Sequence, residues 1–441
     1  MLDDMFDHLQ SLRMQPVWQA PPADARARFK APLPTDPTEL SEVHAQFLSD
    51  ILPYGGGNTH PGFMGWVQGG GTAVGMLADM LAAGLNANLG GRNHMPIQVE
   101  RQIALWMCDV FGFPETGQGL FLTGASQANF VAVLLARQKA KSQVRLTAYA
   151  SDAVHGCLPR AMDMAGIGAK HLRCIATNAD GGINLSALSL AIEEDRAAGF
   201  MPFLLIGTAG TVNTGAVDDL DALADVAQKH DLHFHIDGAL GALGVFSSEL
   251  APLFRGIEKA DSLAFDFHKW GQVPYDAGFL LTRNGDAQAA LFASEAAYLT
   301  RAKRGLAAGD LWPCDYGPDL SRGFRALKTW FTLKTFGLEA LGASMASNCH
   351  LAQDLALRID TEAELELMAP VRLNIVCFRY GNDDARTARI VEALHEAGRV
   401  APSLTIVNGR NAIRAAIVNH RTKKADIDAL VESVLALGRT L

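Results

Sequence analysis

The feature that most constrains this chain is an alternation between about residues 95 and 290. Short apolar runs occur at Leu146–Ala150, Leu172–Ala176, Phe203–Gly207, Leu232–Ile236, Ser262–Phe267 and Gly278–Thr282. Such runs suit buried strands better than helices. Helical stretches lie among them at His155–Ala165, Leu185–Ala198 and Asp219–His230, and another precedes them at Pro96–Phe111. In that first helix Val99, Ile103, Trp106, Met107 and Val110 share one face. Strand and helix in turn predict an α/β domain with a mainly parallel sheet.

The flanks read differently. Residues 1–68 form an expected appendage, cut by Pro16, Pro21, Pro22, Pro32, Pro34 and Pro37 into extended pieces and short helices. The large domain is expected over 69–335. Residues 336–441 predict a small α+β domain, with strands near Val371–Tyr380 and Ala412–Val418 and helices near Ala385–Ala397 and Lys424–Leu437.

At 441 residues, with 49% apolar and 19% charged side chains, the chain is globular rather than disordered. A net charge of −9 without a basic tract argues against nucleic acid as a partner. The six cysteines are scattered, which excludes zinc-knuckle and Cys-x-x-Cys readings; no metal is expected, and reduced thiols in a cytoplasmic protein are. The acidic start Met1–Asp7 lacks a signal peptide's pattern, and no apolar run is long enough to span a membrane.

Four segments carry chemistry. In Thr123-Gly124-Ala125-Ser126-Gln127-Ala128-Asn129, an apolar run meets small residues before a helix expected over Phe130–Lys141; helix starts bind phosphate. Taken alone, Ser126 reads more readily as an ordinary helix N-cap. Asp237 ends the strand Phe234-His235-Ile236-Asp237, where a buried carboxylate needs a cationic partner or a cap role. Lys269 follows the strand at Ser262–Phe267; a depressed pKa there makes a Schiff-base nucleophile, and the plain alternative is a snorkelling surface lysine. His155 begins a helix after a strand, as a ring stacker, a proton donor or a structural histidine. Together, a phosphate cradle, a ring support, an acid and an amine at strand ends match the needs of pyridoxal phosphate.

These runs resemble the group II pyridoxal-phosphate decarboxylases, which include aromatic L-amino-acid, histidine and glutamate decarboxylases. Further matching runs are His60-Pro61-Gly62-Phe63, Gly207 to Gly215, His235 to Ala239, His268-Lys269-Trp270 and Ser321 to Lys328. The resemblance implies fold type I, the aspartate-aminotransferase-like architecture, and a homodimer with sites at its interface. It implies that Lys269 forms the Schiff base, Asp237 pairs with the pyridine nitrogen, Ala239 lies under the ring and His155 stacks above it. Gly124, Ala125, Ser126 and His268 hold the phosphate, and Thr208 lines the pocket. The implied reaction is decarboxylation of an L-amino acid to its amine.

Two positions depart from the aromatic decarboxylases. Asp266 and Phe267 stand where those enzymes carry Asn and Pro. In the loop Leu299–Pro318, Trp312 falls nearest the place of the tyrosine that protonates Cα, with Tyr316 four residues on. If no hydroxyl reaches Cα, the product becomes an aldehyde, as in the related aldehyde synthases. Another lyase, or a homologue that binds cofactor without turnover, are further alternatives. Arg414 stands where fold type I enzymes often hold the substrate carboxylate, and a structural arginine at a strand edge is the equal alternative. Phe63 and Trp66 are candidates for an aromatic side-chain pocket, which core packing explains as well, and Trp312 is a further substrate candidate.

Overall fold

The computed structural model describes residues 1–140, 145–293 and 301–441. Lys141, at the end of one expected helix, and Leu299 and Thr300, at the start of the expected loop, lie outside them. The chain divides into two units, residues 74–347 and residues 1–73 with 348–441. The strands in chain order are β1 Phe63–Met64, β2 Gln118–Leu122, β3 Leu146–Ser151, β4 Leu172–Ile175, β5 Met201–Thr208, β6 His233–Asp237, β7 Ser262–Asp266, β8 Gly278–Thr282, β9 Leu365–Leu367, β10 Ile375–Tyr380, β11 Ala401–Val407 and β12 Arg410–Ala416.

In unit 74–347, seven strands form one sheet in the order β2-β8-β7-β6-β5-β3-β4. Only β8 runs against its neighbours, β7 and β2; the other pairings are parallel. The C-terminal ends of β2, β3, β5, β6 and β7 therefore share one edge, where open α/β sheets bind ligands. Both faces are covered, so β3, β6, β7 and β8 are buried at every residue rather than alternating. Two following helices are capped by side chains: Asn184 and Asp219 accept from the N–H groups of Ala187 and Ala222.

One boundary matters for chemistry. The helix expected from Phe130 starts at Ala125 and ends at Lys139. Ala125 and Ala128 pack with Ala264 of β7 and Leu280 of β8. Small residues packed this closely are helical but lack the large apolar side chains that mark helix periodicity.

The other unit carries a sheet ordered β1-β11-β12-β10-β9. Val376, Phe378, Ile413 and Ala415 pack there against Ile390, Leu394, Leu430 and Val434 of two helices. The strands β9 and β11 join the two expected from sequence. The N-terminal segment belongs to this unit because β1 pairs with β11 and Val17 N–H donates to Gly398 O (2.8 Å). Among the described residues, no helix is long and apolar enough to cross a membrane.

Candidate active site

Five chain segments converge at the shared strand edge of unit 74–347. The first is the turn from β2 into the helix Ala125–Lys139. Gly124 caps that helix without a side-chain hydrogen bond. A Cβ added to Gly124 would meet His268 at 3.7 Å and Asp266 at 3.8 Å, ordinary van der Waals contact, so the backbone before the helix is not crowded. Ala125 N–H donates to Asp266 Oδ1 (2.7 Å). Ser126, an exposed residue in the first turn, is not the cap. The turn is seated by Gly278 of β8, where a Cβ would lie 2.3 Å from Gly124 Cα, so only glycine fits.

The second and third segments follow β3 and β5. His155 Nδ1 accepts from Cys157 N–H (3.2 Å), so the ring carries its N–H on Nε2. Ser151 Oγ and Thr208 Oγ1 are buried without partners. Thr208 lies opposite Asp237 in the β5–β6 register, and its N–H donates to Asp218 Oδ2 (2.8 Å). Burial pushes the Asp218 carboxyl up to about 6.

The fourth is the end of β6. Asp237 is buried, its Oδ1 accepting from Ala239 N–H (3.1 Å) and its Oδ2 from Asn129 Nδ2 (3.2 Å). Burial raises its pKa; the Ala239 N–H, Lys269 and His155 oppose this, and Asp266 adds to it. A buried carboxylate raised in this way gains most from a cation brought beside it.

The fifth follows β7. Lys269 Nζ lies 2.8 Å from Asp266 Oδ2. Burial lowers the Lys269 pKa, but Asp266, helped by Asp237 and Cys157, more than reverses the effect. The net shift is upward, which corrects the depressed pKa expected from position alone. His268 Nδ1 accepts from Ala277 N–H (2.9 Å), and the His268 ring lies 4.3 Å from that of Tyr275. Asp266, which would repel a phosphate by itself, is thus compensated by a cation and a helix N–H.

The structure brings Gly124, Ala125, Thr208, Asp237, Ala239, Asp266, His268 and Lys269 to the strand edge, with His155 near enough to Asp237 to act on its charge. Tyr316 lies elsewhere in the same unit: it lines a cleft with Glu115, Gln118 and Gly119, toward the start of β2, and faces Arg101, Asp315, Asp286 and Arg301. Trp312 is buried, its ring between the guanidinium groups of Arg92 (5.0 Å) and Arg301 (4.8 Å) and close against Gly91. In the other unit, Phe63 is buried with Val17 and Ala401, and Trp66 is 56% exposed beside it. Arg414 Nε donates to Ser403 Oγ (3.0 Å).

The uncrowded turn at Gly124, the unpartnered hydroxyls, the buried acid and the amine fit a small phosphate-bearing aromatic cation. Residues 22–381 match the pyridoxal-dependent decarboxylase conserved domain. The chain belongs to the pyridoxal-dependent decarboxylase family. It is a fold type I carboxy-lyase that uses pyridoxal phosphate to decarboxylate an amino acid. An aromatic-L-amino-acid decarboxylase from Bacillus atrophaeus is 31% identical over 455 residues, covering 99% of this chain and 94% of the relative. A phenylacetaldehyde synthase from Arabidopsis thaliana is 27% identical over 445 residues, covering 95% and 90%. The crystal structure of Oryza sativa TDC with PLP and tryptamine matches with a TM-score of 0.90 at 22% identity, covering 99% of this chain and 96% of that one; it supports the fold.

Sequence reasoning did not single out Asn129, His235, Cys157 or Asp218 as members of this decarboxylase's site. His235 had a usable signal, being two residues before Asp237 on one strand and so on the same face. Asn129 became assignable only once the helix was known to begin at Ala125.

Proposed function

We propose that this decarboxylase converts an aromatic L-amino acid to its amine, with Lys269 carrying the cofactor and Asp237 holding its pyridine nitrogen. The observation that carries the reading is the convergence of Lys269, Asp237, Thr208 and the Ala125 N–H at one sheet edge. The aromatic substrate class is supported by the 31% identical relative, named for that activity. When bound, pyridoxal phosphate supplies the sink for the electron pair left when a bond to Cα breaks.

The residues then divide the work. The Ala125 N–H, the helix start, Ser126 and His268 would hold the phosphate, with the Ala125 N–H, now given to Asp266, as one of its donors. Asp266 would then serve Lys269 alone, as the carboxylate that holds the proton on the amine which would carry the cofactor. Asp237 gives its carboxylate to the pyridinium proton, a charge-assisted bond that offsets its burial. Ala239 leaves room beneath the ring, and His155 covers its other face. Thr208 Oγ1 finds in the cofactor the partner it lacks within the chain.

The chain acts as a homodimer in this reading, and Tyr316 would be the hydroxyl that supplies a proton to Cα. Within its own chain its surroundings are Arg101 and Asp315 rather than Lys269. Incubation with tryptophan, tyrosine, phenylalanine, histidine and glutamate, followed by assay of carbon dioxide, amine, ammonia and peroxide, tests the proposal. Carbon dioxide and amine from an aromatic substrate are expected. Carbon dioxide with ammonia and peroxide would replace the amine by the aldehyde, and turnover confined to glutamate or histidine would overturn the aromatic reading.

A further inference from the structure

Behind Asp237 a buried hydrogen-bonded series runs along one face of β6. Asn129 Nδ2 donates to Asp237 Oδ2 (3.2 Å). Asn129 Oδ1 lies 2.7 Å from His235 Nε2, and His235 Nδ1 lies 2.8 Å from Ser262 Oγ. Ser262 Oγ lies 2.8 Å from His233 Nε2. Asn129, His235 and Ser262 are fully buried, and His233 is nearly so. Beyond them His233 Nδ1 is 3.8 Å from Asp261 Oδ2, which lies 3.8 Å from Lys139 Nζ. His233, Asp261 and Lys139 line an open cleft together with Arg283 and Asp286.

The proton positions follow from the charge at one end. With Asp237 ionised, as its proposed pairing with a pyridinium requires, the carboxylate only accepts, so Asn129 turns its amide N–H to Asp237 and its carbonyl oxygen to His235. His235 Nε2 must then donate. Burial pulls His235 down to about 3 and His233 down to about 4, so both rings are neutral near pH 7 and each has one donor and one acceptor. His235 Nδ1 therefore accepts from the Ser262 hydroxyl, whose oxygen accepts from His233 Nε2–H. The reverse arrangement is available to His235, since its Nδ1 also lies 3.2 Å from Ser262 O. It would turn the Asn129 oxygen onto the Asp237 carboxylate, so an ionised Asp237 selects against it. Each bond of the series is donated toward Asp237 and polarises the next, while the second Asn129 amide hydrogen goes to Cys157 Sγ (3.3 Å).

We propose that Asn129, His235, Ser262 and His233 are positioning residues: a one-way donor chain that holds Asp237 ionised and thereby sets how tightly, and in which protonation state, the cofactor ring is kept. This rests on the reading that Asp237 pairs with the pyridine nitrogen. The groups facing Asp237 from other segments are Lys269, His155, Asp266 and Cys157. Those facing His233 are Asp261 and Lys139.

The test uses holoenzyme and two readouts, the dissociation constant of pyridoxal phosphate and the pH midpoint of its visible band. Ser262→Ala and His233→Phe do not touch the cofactor site. The first should weaken cofactor binding roughly five- to tenfold, as expected for a weakened bond to a charge, and move the midpoint. His233→Phe should do the same to a smaller degree, and His233→Gln, which keeps a donor, should lie between it and wild type. Binding within twofold of wild type and an unmoved midpoint in both Ser262→Ala and His233→Phe would overturn the chain. Weakened binding with an unmoved midpoint and no rescue by His233→Gln would reduce it to packing. Asp237→Ala separates the two levels. If it loses the cofactor while the remote variants keep it, only the chain fails; if Asp237→Ala itself binds normally, the reading of Asp237 fails and the chain with it.

Discussion

Two cations of the same unit, Lys269 and Arg322, are paired with carboxylates in opposite ways. Arg322 is almost fully enclosed. Its terminal nitrogens donate to both oxygens of Glu100 (2.6 and 3.1 Å) and to the carbonyls of Leu89 (3.0 Å) and Phe121 (2.7 Å), and only Nε lacks a partner. Lys269 has one carboxylate, Asp266, which it shares with the Ala125 N–H, and it remains partly accessible. Both lie in segments that resemble family signatures. The first pair is locked by fixed backbone on several sides and acts as scaffold. The second can exchange its partners for a phosphate and a carbonyl carbon, and so serves chemistry.

The sharpest way to break this contrast is to delete each cation. Lys269→Ala should abolish the visible band and lower turnover more than about a thousandfold, the scale of losing a covalent catalytic group. Its unfolding transition should stay near that of apo wild type. Arg322→Ala should do the reverse. It leaves Glu100 buried and unpaired, at a cost of about 3–5 kcal/mol in denaturant unfolding, while the fraction that folds keeps its band.

Asp266→Asn sharpens the comparison from the acid's side. It removes the charge that holds the Lys269 pKa up, so the neutral amine becomes more abundant at pH 7. Each pKa unit is worth about a tenfold change in that fraction. Capture of added pyridoxal phosphate by apo protein, followed at the visible band, should accelerate by roughly that factor. Unchanged capture would mean that Asp266 does not control the amine.

The smallest effect concerns the neutral histidines. His233 and His235 have folded pKa values of about 4 and 3, below the ordinary 6.5, so the unfolded chain binds more protons between those limits. Their contribution to stability is complete above pH 6.5 and is lost as pH falls toward 4. Asp218, raised to about 6, runs the other way in the same window, gaining stability as its proton binds. His233→Phe should therefore shrink the drop in melting temperature between pH 7 and 5 by roughly 2–4 °C.

Much of the large sheet was legible because a strand buried on both faces reads as a continuous apolar run. The expected Gly278–Thr282 coincides with β8, and Asp237 and Lys269 stood out because charge is rare at the end of such runs. The start of the helix at Ala125 was not legible, since small packed residues carry no apolar period. Nor was the pairing of β1 with β11, which joins chain segments more than 300 residues apart through backbone bonds that any side chains permit.

By itself, then, the sequence determined the class of sheet, the order of its strands along the chain and the residue types at their ends, because local burial patterns dictate those. The tertiary structure decided which groups meet. It set Asp266 between Lys269 and the Ala125 N–H, turning an expected depressed lysine pKa into a raised one. It also aligned Asn129, His235, Ser262 and His233 behind Asp237. Charge interactions depend on distances across the fold, and spacing along the chain does not specify them.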